Sequence, residues 1–275
     1  MRRALAPSGL IALLLVAACA PSSDAPVGNA AENEAAARYA DRMAGTPPPA
    51  PPSKPFAVKG TAGGLEFAYA YPAEAAAVSA LVDKFARDMA ATKADALKMA
   101  KEDSAAAKES GYPFRPHSLE TEWSVAADTP RFLALQSQTY VYTGGAHGMT
   151  GYDAVLWDKA RKQESSVKAL MTSPAAFSTA IRDRFCAILD QQRAEKRGAP
   201  VVRGDDDFTQ CIDPMEQVLV PTSKDGKLID GLTVVVGPYS AGPYAEGSYE
   251  VALPVDAAMR DAIKPDYRDA FVAVD

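Results

Sequence analysis

The sequence predicts an α+β fold, with helices packed on antiparallel sheets in two consecutive small domains of mixed α and β. Three observations lead there. Short runs alternate apolar and polar residues with period two, as in Leu65–Tyr71. Two long stretches instead repeat apolar residues at helical spacing. Successive strand-like runs are joined by glycine-rich connections rather than by regular helices, which favours antiparallel neighbours. At 275 residues, 48% hydrophobic and 23% charged, the chain is long enough to bury a real core.

The chain starts with a targeting pattern, residues 1–18. Arg2 and Arg3 precede an apolar run, Leu10 to Ala18, that is too short to span a bilayer as a stable helix. The run ends in Val16-Ala17-Ala18-Cys19, which resembles the lipobox of bacterial lipoproteins, where cleavage precedes a cysteine that is then acylated. An ordinary cleaved signal is the alternative. With Ala20 after Cys19, the resemblance implies a protein anchored by lipid at the outer membrane, facing the periplasm, with no spanning segment. Residues 19–55 are an Ala/Pro-rich tether ending in TPPPAPPSKP, too poor in large apolar residues to fold, with a short helical pattern at 33–43.

The first domain is expected over 56–162. LEFAYAY places Leu65, Phe67, Tyr69 and Tyr71 on one strand face, and Pro72 stops it. Val78, Leu81, Val82, Phe85 and Met89 open a long amphipathic helix that runs to about Lys108 and ends before SGYPFRP. SLETEWSV, RFLALQSQTYVY and GYDAVLWD then read as three strands, giving β-α-β-β-β with the helix on one face of an antiparallel sheet. The second domain is expected over 163–275. Ser173 as N-cap and Pro174 at the first helical position introduce Phe177, Ile181, Phe185, Ile188 and Leu189 on one face. A polar stretch from Arg193 to Asp207 follows. Two strands around an Asp225-Gly226 turn, the strand SYEVALP and a final helix from Asp256 to about Ile263 complete the chain.

Once Cys19 is set aside, Cys186 and Cys211 remain as a pair in an oxidising compartment. A bridge would close about 25 residues and contribute roughly 3–4 kcal/mol in the chain-entropy model. Two buried free thiols are the alternative. The formal charge of −6 comes without a basic stripe, so nucleic acid is not an expected partner. With two histidines, no GxSxG and no HExxH, the sequence offers no catalytic residue and no metal site, and no cofactor is expected. His117, after Arg115-Pro116, reads as an exposed or backbone-bonded turn residue. The acidic run at 205–207 reads as solvated charge, lacking a calcium loop's glycine and distal glutamate.

Two loops stand out. YTGGAHGMTGYDAV, residues 142–155, sets His147 in a glycine-rich connection of nine residues, Thr143 to Gly151, where two to five suffice for a hairpin. Its glycines admit close backbone approach, and His147 either anchors its own loop or touches a ligand. In GPYSAGPYAEG, Tyr239 and Tyr244 flank Gly242-Pro243, an arrangement suited to protein recognition.

These loops carry a family resemblance. YTGGAHG, closing a β-α-β-β block, looks like the end of the N-terminal domain of PdaC-type peptidoglycan deacetylases (DUF4163). GPYSAGPYAEGSYEVALP, residues 237–254, resembles the signature of the neighbouring domain shared with RsiV anti-sigma factors (DUF3298). Together they cover about residues 56–265. In the RsiV branch the tandem is an extracytoplasmic receptor that binds lysozyme. The resemblance therefore implies a partner-binding edge made of Tyr142, Thr143, Gly144, Gly145, His147 and Gly148 with Tyr239, Pro243, Tyr244 and Gly247. No deacetylase catalytic domain and no sigma-binding segment is recognisable, so neither of those activities is expected. The expectation is a non-enzymatic periplasmic lipoprotein that binds an envelope protein, lysozyme-like in its sharpest form, or peptidoglycan. The alternatives are a cell-wall glycan hydrolase or transferase with an unrecognised carboxylate pair, or a passive structural lipoprotein.

Overall fold

The computed structural model describes residues 53–206 and 208–273. The signal pattern, Cys19 and nearly all of the tether lie outside the described residues, as does Asp207. The chain forms β1 (Phe56–Ala62), β2 (Leu65–Tyr71), α1 (Ala73–Ala76), α2 (Ser79–Ser110), β3 (His117–Asp128), β4 (Phe132–Tyr142), β5 (Met149–Asp158) and β6 (Gln163–Ser165). It continues through α3 (Val167–Leu170), α4 (Pro174–Arg197), β7 (Val218–Thr222), β8 (Gly231–Val236), β9 (Tyr249–Pro254) and α5 (Ala257–Asp261). Short 3-10 turns occupy Pro214–Glu216, Tyr244–Glu246 and Pro265–Ala270. The class is α+β.

β1 to β6 form one sheet in sequence order, and β7 to β9 form a second, three-stranded sheet. The first sheet is mixed rather than antiparallel throughout. β2 and β3 run parallel, Leu65 opposite His117, because α2 carries the chain back along the sheet before β3 enters it. All other pairs in the two sheets are antiparallel. α2 ends at Gly111, which takes the left-handed conformation (φ 75°) that stops a helix without steric cost. α4 begins as its sequence dictates: the Ser173 hydroxyl accepts from the Ala176 amide at 3.1 Å, and Pro174 occupies the first turn.

The six-stranded sheet serves two cores. Leu81 and Phe85 of α2 bury against Phe67, Tyr69, Leu119 and Trp123, and the Phe85 and Trp123 rings stack at 4.7 Å. The Trp123 indole donates to the Tyr69 hydroxyl at 3.0 Å, so the indole N–H inside this layer is satisfied. β4 shows why two cores are needed. Leu133 and Leu135 point into the α2 layer, while Phe132 and Ala134 point the other way, into a second core with Phe177, Ile181, Phe185 and Leu189 of α4. There β7 packs against β3, β4 and β5. Cys186 and Cys211 form a disulfide with Cα atoms 5.5 Å apart, tying α4 to the segment before β7. Among the described residues, no helix is long and apolar enough to cross a membrane.

Two expectations are corrected by the pairing. Met149–Gly151 belongs to β5, with Gly151 opposite Thr139, so the first loop is Thr143–Gly148 rather than a nine-residue excursion. His117 is not an exposed turn residue. It is the first residue of β3, only 2% exposed, and its Nε2 lies 3.1 Å from Asp103 Oδ2 on α2.

Candidate functional site

The two glycine-rich loops, far apart in sequence, meet. The His147 ring stacks on the Tyr244 ring with centroids 3.7 Å apart and planes 15° from parallel. Tyr239 stands beside them, 5.8 Å from Tyr244 between ring centres. The hydrogen bonding fixes the tautomer of His147. Its Nδ1 lies 3.0 Å from the Gly148 carbonyl, which only accepts, so Nδ1 carries the proton. Nε2 is then an acceptor, and the Tyr239 hydroxyl, 92 residues away in sequence, donates toward it at 3.4 Å. A second link lies nearby, where Tyr152 on β5 donates to the Ser248 hydroxyl at 2.9 Å.

The first loop is held from below. Arg115 and Tyr142 both donate to the Gly145 carbonyl, at 3.2 and 3.1 Å. Its glycines differ in purpose. Gly148 is required sterically, because a Cβ there would sit 2.3 Å from the Tyr140 ring. Gly144 adopts φ 85°, the left-handed region. Gly145 faces open space and has no such requirement.

The second loop is clamped by the last turn of α4. Arg193, fully buried, donates to the carbonyls of Ala241 at 2.8 Å and Gln210 at 2.9 Å. Arg197 forks onto Glu246 at 2.8 and 3.0 Å, and Lys196 donates to the carbonyls of Glu246 and Ser248 at 2.5 and 2.6 Å. The Tyr249 hydroxyl also donates to Glu246. Burial pushes the Glu246 carboxyl up, but the Arg197 guanidinium and the Tyr249 hydroxyl outweigh it and hold it below its ordinary value. Burial, then Glu246, pushes the Tyr249 phenol up to about 12. These three cations at i, i+3 and i+4 lie on one helix face and also suit a helix C-terminus. The sequence reading treated them as the start of a polar stretch. The missed signal is a basic triplet closing an amphipathic helix, with a lone glutamate in a downstream loop.

The clamp presents Tyr239 outward. Pro238 and Tyr239 occupy the centre of a turn closed by the Ser240 amide on the Gly237 carbonyl at 3.2 Å. Tyr239 has φ 67°, where glycine or asparagine is usual, and it is 47% exposed. A bulky residue held there costs of order 1–3 kcal/mol, and such strain persists where the surroundings impose it and clusters at binding sites. Tyr244, whose ring contacts both His147 and Tyr239, is half-buried. Tyr239 is the more exposed of the two. Pro243 is exposed at the tip and Gly247 (φ 64°) closes the 3-10 turn. Thr143 lines a separate cleft on the α2 side of the first loop.

Residues 59–150 match the family model described as Deacetylase PdaC. The match closes at Thr150, just past the first loop. No curated protein matches the chain in sequence. Among solved structures, a DUF3298 family protein from Pseudomonas aeruginosa PAO1 is similar, with 15% identity, a TM-score of 0.46, and coverage of 81% of this chain and 98% of that one. A member of the same family from Bacteroides fragilis NCTC 9343 aligns with 16% identity, a TM-score of 0.46, and coverage of 78% and 94%.

Proposed function

We propose that this chain is a non-enzymatic binding module of the cell envelope, whose recognition edge is the His147–Tyr244–Tyr239 cluster. The observation that carries the reading is the strained, outward-facing Tyr239 joined to His147 across the two loops. Such a pre-organised aromatic patch brings large contact area at low entropic cost. The partner is an envelope protein, with a lysozyme-like protein as the first candidate, or peptidoglycan. The lipobox resemblance at Cys19 supports anchoring by lipid at the outer membrane, facing the periplasm.

The test is binding of the chain lacking residues 1–18 to lysozyme and to purified peptidoglycan. Tyr239→Ala and Tyr244→Ala should each weaken whichever interaction is found by about 2 kcal/mol, roughly thirtyfold. A triple variant with His147→Ala that binds like wild type would remove the edge from the proposal. Anchoring is tested separately. Cys19→Ser should leave the full chain unprocessed or release it from membranes, and wild-type fractionation of that variant would refute lipidation.

A further inference from the structure

On the α2 side of the first loop lies a second cleft, of about 410 Å³, within the usual range for small-molecule sites. It is lined by Asp103 of α2, Tyr112, Phe114 and Arg115 of the α2–β3 connection, His117, and the first-loop residues Thr143 and Gly144. We propose that this cleft binds an amino-acid zwitterion, with its ammonium on Asp103 and its carboxylate on Arg115. The cleft shares the first loop with the recognition edge but uses none of the three rings His147, Tyr239 and Tyr244.

Two opposite charges share this cleft without meeting. Asp103 and Arg115 form no ion pair with one another, and Arg115 holds no carboxylate among the described residues. Arg115 uses one N–H on the Gly145 carbonyl and leaves the rest of its fork without a partner among the described residues. A free guanidinium fork matches a carboxylate in two parallel hydrogen bonds. Asp103 is not an idle surface acid. His117, almost wholly buried, grips its Oδ2 and so orients the carboxylate, while the side chain stays 56% exposed to receive a cation. The His117 ring is backed by Phe114, with centroids 5.7 Å apart. Its Nδ1 is buried with no hydrogen-bond partner among the described residues. Tyr112, 54% exposed at the rim, supplies an apolar wall with a hydroxyl. A ligand bearing both charges meets the open fork of Arg115 and the exposed side of Asp103 at once, which a simple anion or amine does not.

The His117 ring is the reporter. Glycine is titrated into the full chain at fixed pH, alongside N-acetylglycine, which lacks the ammonium, and glycine methyl ester, which lacks the carboxylate. Glycine should shift the His117 ring resonances saturably and leave those of His147 in place. Each blocked probe should need at least about tenfold higher concentration, the loss of one charged contact. Asp103→Asn and Arg115→Gln, both at exposed positions, should each weaken glycine by a similar factor with the fold intact, as judged by an unchanged urea unfolding midpoint. No saturable shift with glycine would overturn the proposal, as would equal binding of glycine and N-acetylglycine. Full retention of binding in either variant would do the same.

Discussion

Asp158→Ala is expected to lower unfolding stability by about 4 kcal/mol, because it removes the acceptor from a node that several donors share. Asp158 is 1% exposed at the end of β5. Arg131, from the turn entering β4, forks onto it at 3.0 and 3.1 Å, and Arg161 approaches to 3.7 Å. The amides of Ala160 and Arg161 donate to the same carboxylate at 3.1 and 3.0 Å, so it also caps the turn toward β6. Arg131 and Arg161 in turn lie over the Tyr267 ring, tying the C-terminal segment to the first sheet. Removing the carboxylate strands a partly buried guanidinium and two turn amides together. The pH dependence follows from the direction of the pKa. Burial alone raises the Asp158 carboxyl, but hydrogen bonds from Arg131 and the turn amides bring it below its ordinary value. A depressed folded pKa gives stability that is present above the unfolded value and is lost as pH falls through the folded one. Urea titrations at neutral pH should therefore show the full deficit, and titrations in acid a smaller one. A deficit below about 1 kcal/mol at neutral pH would rule out this node as a keystone.

How much of this was legible beforehand depends on which residues carry each feature. β2 to β5 and α4 were readable because burial of one face leaves period-two or 3.6-residue patterns, and Ser173-Pro174 marks its helix start by local chemistry alone. β1 was not readable. All of its residues except Phe56 are exposed, so FAVKGTA carries no alternation, and the strand exists through its pairing with β2. The parallel direction of β3 was hidden for a different reason, since alternation reports a face and not a direction. The two glycine-rich loops stood out through their glycines and tyrosines, which are local. What arranges them was invisible: Arg193 and Lys196 act on backbone carbonyls, and Arg197 on the Glu246 carboxylate, about 50 residues downstream. His117 was misread for the same reason. Its partner, Asp103, lies on the preceding helix, and nothing within the PFRPHS segment announces the contact.

Glu246→Ala is expected to dismantle the recognition edge and to cost about 3 kcal/mol in stability, second only to Asp158→Ala. Glu246 is the one carboxylate that Arg197 holds, and it accepts from the buried Tyr249 hydroxyl as well. Without it the Tyr249 hydroxyl loses its partner, Arg197 keeps only the Ala241 carbonyl at 3.3 Å, and the 3-10 turn Tyr244–Glu246 loses the side chain that pins it to α4. Tyr244 sits in that turn, so its stack on His147 should loosen, and the His147 and Tyr244 ring signals should lose their mutual contacts in NMR spectra. Binding at the edge should fall in proportion, even under conditions where the variant is fully folded. The pH sign is that of a lowered carboxyl. The Arg197–Glu246 contribution is complete above the ordinary glutamate range and fades as acid protonates Glu246, so wild-type binding should weaken in acid while the variant's residual binding stays flat through that window. Gly242 provides an independent check, because a Cβ there would lie 2.0 Å from Glu246 Oε2. Gly242→Ala should displace the carboxylate without deleting it, and should reproduce the loosened stack at a smaller stability cost. If the His147–Tyr244 contact survives Glu246→Ala unchanged, the clamp on α4 is not what arranges the edge, and the covalent geometry of the loop itself must do so.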